Sequence, residues 1–163
     1  MVQPGQMAPP EEVPAVHSSL VFRAGPLLCA LRLDEVIETM RPLITHPLAG
    51  TPSFVTGICI MRGIPTIVID VARLLGGAAA DVSRFVAVRT EHGPVAFATG
   101  DIQGVRTISA ETAGQNAALL GEAPARLIAA VGTIDAAPVL LLQSMGLMPD
   151  ETWAATAALA AAS

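Results

Sequence analysis

The sequence predicts a mainly β protein in which one β-rich unit is used twice and followed by a C-terminal helix. Three observations predict it. Short apolar runs dense in Val, Ile and Leu recur between Gly and Pro, as strands separated by turns require. The spacing from Gly25-Pro26 to Thr39 equals that from Gly93-Pro94 to Thr107, an offset of 68, and Pro65 to Asp70 has a counterpart in Pro138 to Gln143 at an offset of 73. The tail ETWAATAALAAA is rich in the strongest helix former. A chain of 163 residues that is 52% hydrophobic and 14% charged can bury the core of one domain or of two small fused barrels.

Residues 1–17, with four prolines and few apolar residues, are expected to be a flexible arm, and the folded body is expected over 18–149. Leu20-Val21-Phe22 is a first strand and Gly25-Pro26 a turn. Leu27 to Leu33 is a second strand, with Leu27, Cys29, Leu31 and Leu33 on one face by the two-residue period. Val36 to Met40 fits a third strand with Val36 and Glu38 on one face, although a helix competes there. Four turn-forming residues, Pro42, Pro47, Gly50 and Pro52, make Arg41 to Pro52 a loop.

The stretch GICIMRGIPTIVIDVARLLG, Gly57 to Gly76, organises the rest. It predicts a hairpin whose reversal is Met61-Arg62-Gly63, because Gly63 tolerates the positive φ of a tight turn and Arg62 then stands at the tip. The returning strand, Ile64 to Ile69, ends at Asp70, whose carboxylate can cap a short helix from Val71 to Leu75 closed by Gly76. Residues 76–83, GGAAADVS, form the break between the two units. Ser109 to Arg126 is a long connection with room for a short helical piece after Ser109. In the tail, 150–163, Asp150 is the expected N-cap, and Trp153 and Leu159 are the residues able to pin the helix to the body.

Composition removes several functions. Net charge is −5, the pI is near 5.0, and the nine basic residues, all arginine, are spread from Arg23 to Arg126 without a stripe, so nucleic acid is not an expected partner. At 3% aromatic residues and no tyrosine, a base-stacking surface is missing too. Cys29 and Cys59 lie inside apolar runs without metal-ligand spacing and are expected to be buried reduced thiols. The N-terminus lacks a leader pattern and no apolar run reaches about 18 residues, which predicts a cytoplasmic protein with no direct membrane insertion. No phosphate loop, dinucleotide fingerprint, zincin helix or nucleophile elbow is present. His17, His46 and His92 are far apart and Glu11-Glu12 lies in the arm, so no catalytic, metal or cofactor site is expected. Protein binding through apolar surface and a few placed charges is left. A small-molecule-binding β-barrel with 109–126 as its lid is the alternative from another class.

The motif residues resemble the chemotaxis coupling proteins of the CheW family. That family's middle motif, roughly Gly-Val-x-Asn-Leu-Arg-Gly-x-x-x-Pro-Val-Val-Asp-Leu, is matched by Gly57, Ile58, Met61, Arg62, Gly63, Val68, Ile69, Asp70 and Val71, and LVFRAGPLLCALRLDEVIE is similar to its first hairpin and next strand. The resemblance covers Ser19 to Met148 and implies two intertwined five-stranded, SH3-like β-barrels with a hydrophobic seam. It implies a non-catalytic adaptor that joins the regulatory domain of a CheA-type histidine kinase to the cytoplasmic tip of chemoreceptors, or a divergent adaptor of a pilus-motility or other chemosensory-like pathway. Carried over by position, Arg62 and Glu38 match a surface pair of the family, and Val36, Gly57 and Gly63 complete the expected protein-binding set. The chain departs from the pattern at Ile60, Ile67 and Ala72.

Overall fold

A computed structural model describes residues 15–112, 128–144 and 150–162. Within them the apolar runs form β1 (Ala15–Ala24), β2 (Leu27–Arg32), a 3-10 turn (Leu33–Glu35), β3 (Val36–Met40), β4 (Val55–Met61), β5 (Ile64–Asp70), α1 (Val71–Leu74), β6 (Arg84–Thr90), β7 (Gly93–Thr99), β8 (Ile102–Thr112), β9 (Ile128–Ile134), β10 (Ala137–Leu142) and α2 (Asp150–Ala162). Val36 to Met40 is therefore a strand, not a helix.

These strands make two five-stranded units: a closed barrel in the order β1-β2-β10-β9-β8 and a sheet in the order β3-β6-β7-β5-β4. The first half of the chain, β1 to β5, repeats as β6 to β10, but each unit takes a hairpin from one half and three strands from the other. Both units contain one parallel ladder, β2 with β10 and β7 with β5. The pairing register recurs from one half to the other. The bulge between the pairs Val36–Val88 and Glu38–Ala87 has its twin between Phe22–Ile102 and Val21–Gly104, 66 residues on, and the bulge after Val55–Ile69 has its twin at Ile128–Leu142, 73 on. The second offset is the one the sequence predicted; the first is 66 and not 68. Gly25-Pro26 forms the β1–β2 turn, whereas Gly93-Pro94 begins β7 after the turn Glu91-His92, so the two Gly-Pro pairs are not equivalent.

Unbroken apolar runs arise because these strands are buried on both faces. Leu20, Phe22, Cys29, Leu31, Ile67, Ile69, Val86, Val88, Phe97, Leu140 and Leu142 point into a seam shared by the two units, the main core. Their neighbours by the two-residue period, including Val21, Ala30, Val139 and Leu141, fill the closed barrel, while Val68, Phe85, Ala87 and Ala96 line the other face of the open sheet. Alanines recur on these inner faces, where a small barrel has little room.

One unit closes and the other does not because of how one strand continues. β8 runs unbroken from its pairing with β1 to its pairing with β9 at Ala110–Gly132, Glu111–Val131 and Thr112–Ala130. Its twin β3 stops at Met40, just before Pro42, which takes the place of Ile108 and has no N–H to give to a ladder. The chain returns to β4 only at an isolated bridge, His46–Ile58.

Several expected boundaries move. β1 begins at Ala15, since residues 15–17 pair with Ile108, Ser109 and Ala110, so the strand takes in the end of the expected arm. The second strand ends at Arg32; Leu33 belongs to the 3-10 turn and is exposed with Leu27, leaving Cys29 and Leu31 on the seam face. Ser109 to Thr112 is strand instead of the start of a helical piece, and 113–127 lies outside the described residues. Asp70 caps α1 as expected, accepting from the Arg73 backbone N–H at 3.3 Å. Asp150 is the first residue of α2, and its carboxylate turns to His92.

Candidate functional site

The β4–β5 reversal is a two-residue turn in which both Arg62 (φ 53°) and Gly63 (φ 79°) are left-handed, the geometry that matches the twist of a tight hairpin. Among the described residues, nothing beyond its own chain neighbours lies within 4 Å of where a Gly63 Cβ would stand, so the tip is open there. The twin hairpin, β9–β10, turns the same way through Asp135 and Ala136. Arg62 does not project freely. Its Nε donates to Glu38 Oε2 at 2.6 Å and its Nη2 to Glu38 Oε1 at 2.7 Å, a bidentate fork that fixes both planes.

This pair joins the two edges of the open sheet, β3 and β4, that no backbone ladder joins. The Arg62 side chain is 75% exposed and that of Glu38 28%. Hydrogen bonding from Arg62 holds the Glu38 carboxyl below the usual glutamate range, against partial desolvation, and the same bond raises Arg62. The closed barrel carries a looser counterpart of reversed sign, Arg106 of β8 with Asp135 of the turn at 4.0 Å. There the ladder does the closing.

Of the five expected contact residues, Glu38, Arg62 and Gly63 converge on this tip. Val36 lies two residues before Glu38 on β3, half-buried against the main core, with its carbonyl accepting from Arg89 Nη1 at 3.3 Å. Gly57 is elsewhere: buried in β4 with φ +154°, it leaves room for the backbone of His46 and Pro47, which stands where a side chain would be. A backbone crossing explains that glycine. Exposed Ile37, Ile60 and Ile64 lie on the three strands that carry the tip, and sequence reasoning did not single them out as surface. The signal was present for Ile60, which sits between buried Cys59 and Met61 in a strict alternation. Of the three departures from the family pattern, Ile60 alone is on the surface; Ile67 and Ala72 are buried in the main core.

Two further contacts were missed. Glu35 Oε1 accepts from the backbone N–H of Ser144 at 2.7 Å and from its hydroxyl at 2.8 Å, tying the crossover between the units to the end of β10. His92 stacks on Trp153 with centroids 4.9 Å apart and planes 19° from parallel. Both cysteines are free and buried. Burial pushes the Cys29 thiol up to about 12, only partly opposed by Arg23, and it raises Cys59 against a backbone hydrogen bond, so neither is a nucleophile at neutral pH. No group of three His, Cys, Asp or Glu among the described residues is placed to hold a metal ion. Nor is any helix among them long and apolar enough to cross a membrane.

Two intertwined five-stranded β units packed on a common seam define a double SH3-like β fold. The chain belongs to the CheW-like domain family, whose model matches residues 18–152. Among solved structures it is similar to the scaffolding protein TtCheW from Thermoanaerobacter tengcongensis, with a TM-score of 0.70 and 18% identity over 83% of this chain and 92% of that one, a likeness of fold. No curated protein sequence matches it significantly. Membership places the chain among chemotaxis scaffolds and adaptors.

Proposed function

We propose that the protein is a non-catalytic, cytoplasmic adaptor that couples the cytoplasmic tip of chemoreceptors to the regulatory domain of a CheA-type histidine kinase. The observation that carries this, beyond family membership, is the tip itself. Arg62 is held by Glu38 in one orientation at an exposed turn, and exposed Ile37, Ile60 and Ile64 lie on the strands that carry the pair. A preorganised charge set among apolar side chains is the make-up of a protein interface, and locking the guanidinium beforehand lowers the ordering cost of binding. Val36, Glu38, Arg62 and Gly63 are the contact residues in this reading, while Gly57 acts through the backbone path it allows.

Pull-down of the cognate kinase's regulatory domain and of receptor signalling fragments tests it. Capture is expected at micromolar concentration. Arg62→Glu is expected to weaken capture while leaving circular dichroism and thermal unfolding close to wild type. A folded wild-type protein that captures neither partner overturns the reading, and an Arg62→Glu protein that captures both normally overturns the assignment of the tip.

A further inference from the structure

The C-terminal helix is fastened at its first turn and open along one flank beyond it. Of its residues, Thr156 is fully buried, with its hydroxyl satisfied by Thr152 O at 2.9 Å. Ala154, Ala155, Ala158 and Ala161 are exposed, and alanine offers little area to bury in any case. Beside the helix, an open groove of about 460 Å³ lies between Thr152 and Ala155 and the Gly50, Thr51 and Pro52 stretch of the β3–β4 connection, with Leu159 reaching back to Gly50 at its far end. Close packing is what gives dispersion its value, and here it is missing along one flank.

Fastening is concentrated in the first turn. Trp153 packs against the main core and its indole stacks on His92 at the β6–β7 turn. His92 Nε2 lies 3.2 Å from Asp150 Oδ1 on the helix and 3.7 Å from Glu91 Oε1 on its own turn. Among the described residues, the charged groups within ion-pair reach of this imidazole are both carboxylates, one on its own turn and one on the helix packed against it. We propose that His92, Asp150 and Trp153 form a charge-dependent latch for α2: the helix is held tighter when His92 is an imidazolium and loosens when His92 gives up its proton.

The physical reason is additive. An imidazolium donates a charge-assisted bond to Asp150, is drawn also to Glu91, and presents a cation to the face of the indole. Neutral imidazole keeps the stack and one ordinary hydrogen bond. Because Asp150 is well exposed, the change is modest, about two- to fivefold in the ratio of docked to undocked helix. The buried residues of the main core all lie outside α2, which adds only the partly buried Trp153 to it.

Trp153 is the sole tryptophan and the chain has no tyrosine, so its fluorescence reports this joint alone. The full chain is titrated from about pH 5 to 8 at constant ionic strength, the range in which histidine changes charge. Emission wavelength and acrylamide accessibility are followed, because an imidazolium quenches intensity by itself. Trp153 is expected to become more accessible as pH rises, and His92→Gln and Asp150→Asn are each expected to flatten the change while the far-ultraviolet dichroism of the β body stays constant. Hydrogen exchange over 150–162, corrected for the intrinsic pH dependence, should follow the same profile. An accessibility that is independent of pH in the wild type, or a pH profile that survives His92→Gln, overturns the latch.

Discussion

The closed barrel and the open sheet are twins in sequence order and in bulge positions, yet they finish differently. In the barrel an eleven-residue strand, β8, pairs with β1 on one side and β9 on the other. In the open sheet Pro42 stops the corresponding strand, and the gap is spanned by one backbone bridge and one ion pair. A backbone ladder leaves its turn free to be anything; a side-chain clasp makes the turn residue matter. This difference puts Arg62 in a fixed pose on one tip and leaves Asp135 in a looser one on the other.

The sharpest way to break the comparison is through what the twins share. Phe97 and Leu31 occupy equivalent seam positions, one from each unit, and both are fully buried. Phe97→Ala and Leu31→Ala are each expected to cost about 3–5 kcal/mol in urea unfolding, with a single transition by far-ultraviolet dichroism. Two separated transitions would mean that the units are independent and the seam is only a contact.

Next in size is a position where the twins diverge. Gly57 corresponds to Ala130, and the His46 backbone stands where a Gly57 side chain would be, a place that Ala130 fills with its own Cβ. Gly57→Ala is expected to cost about 2–4 kcal/mol through backbone strain and displacement of the crossing chain, against about 1 kcal/mol for Ala130→Gly. Equal costs would show that the crossing is not rigid. A smaller loss, about 1–3 kcal/mol, is expected for Glu35→Ala, which leaves the Ser144 N–H and hydroxyl without their carboxylate; Ser144 is fully buried. Chemical denaturation measures it, and an unchanged midpoint would assign the tie no part in holding the units together.

The smallest effect is electrostatic. Because its hydrogen bonds to Arg62 lower the folded-state pKa of Glu38, the pair stabilises the fold fully above the range in which an unfolded glutamate titrates, and this is lost as pH falls through the lower folded value. The stability gap between wild type and Glu38→Gln should therefore be present at neutral pH and shrink in acid. A gap that persists at low pH would locate the stabilisation in packing.

Much of the fold was legible beforehand because strand burial on two faces leaves a dense local mark. The Val- and Ile-rich runs, the Arg62-Gly63 turn and the Asp70 cap all depend on residues near one another in sequence. The Gly-Pro repeat misled by two residues because identical dipeptides serve different places in two turns, which only the register reveals. Glu38 and Arg62 came from the resemblance; nothing in their spacing of 24 residues shows that they meet. Local chemistry thus determined the strands, the turns and the Asp70 cap, and composition supplied no basic or aromatic binding stripe. Tertiary structure alone decided which half of the chain lends its hairpin to which unit, that Pro42 leaves one unit open, and that Gly57 serves a crossing backbone, because each depends on which distant strand arrives alongside.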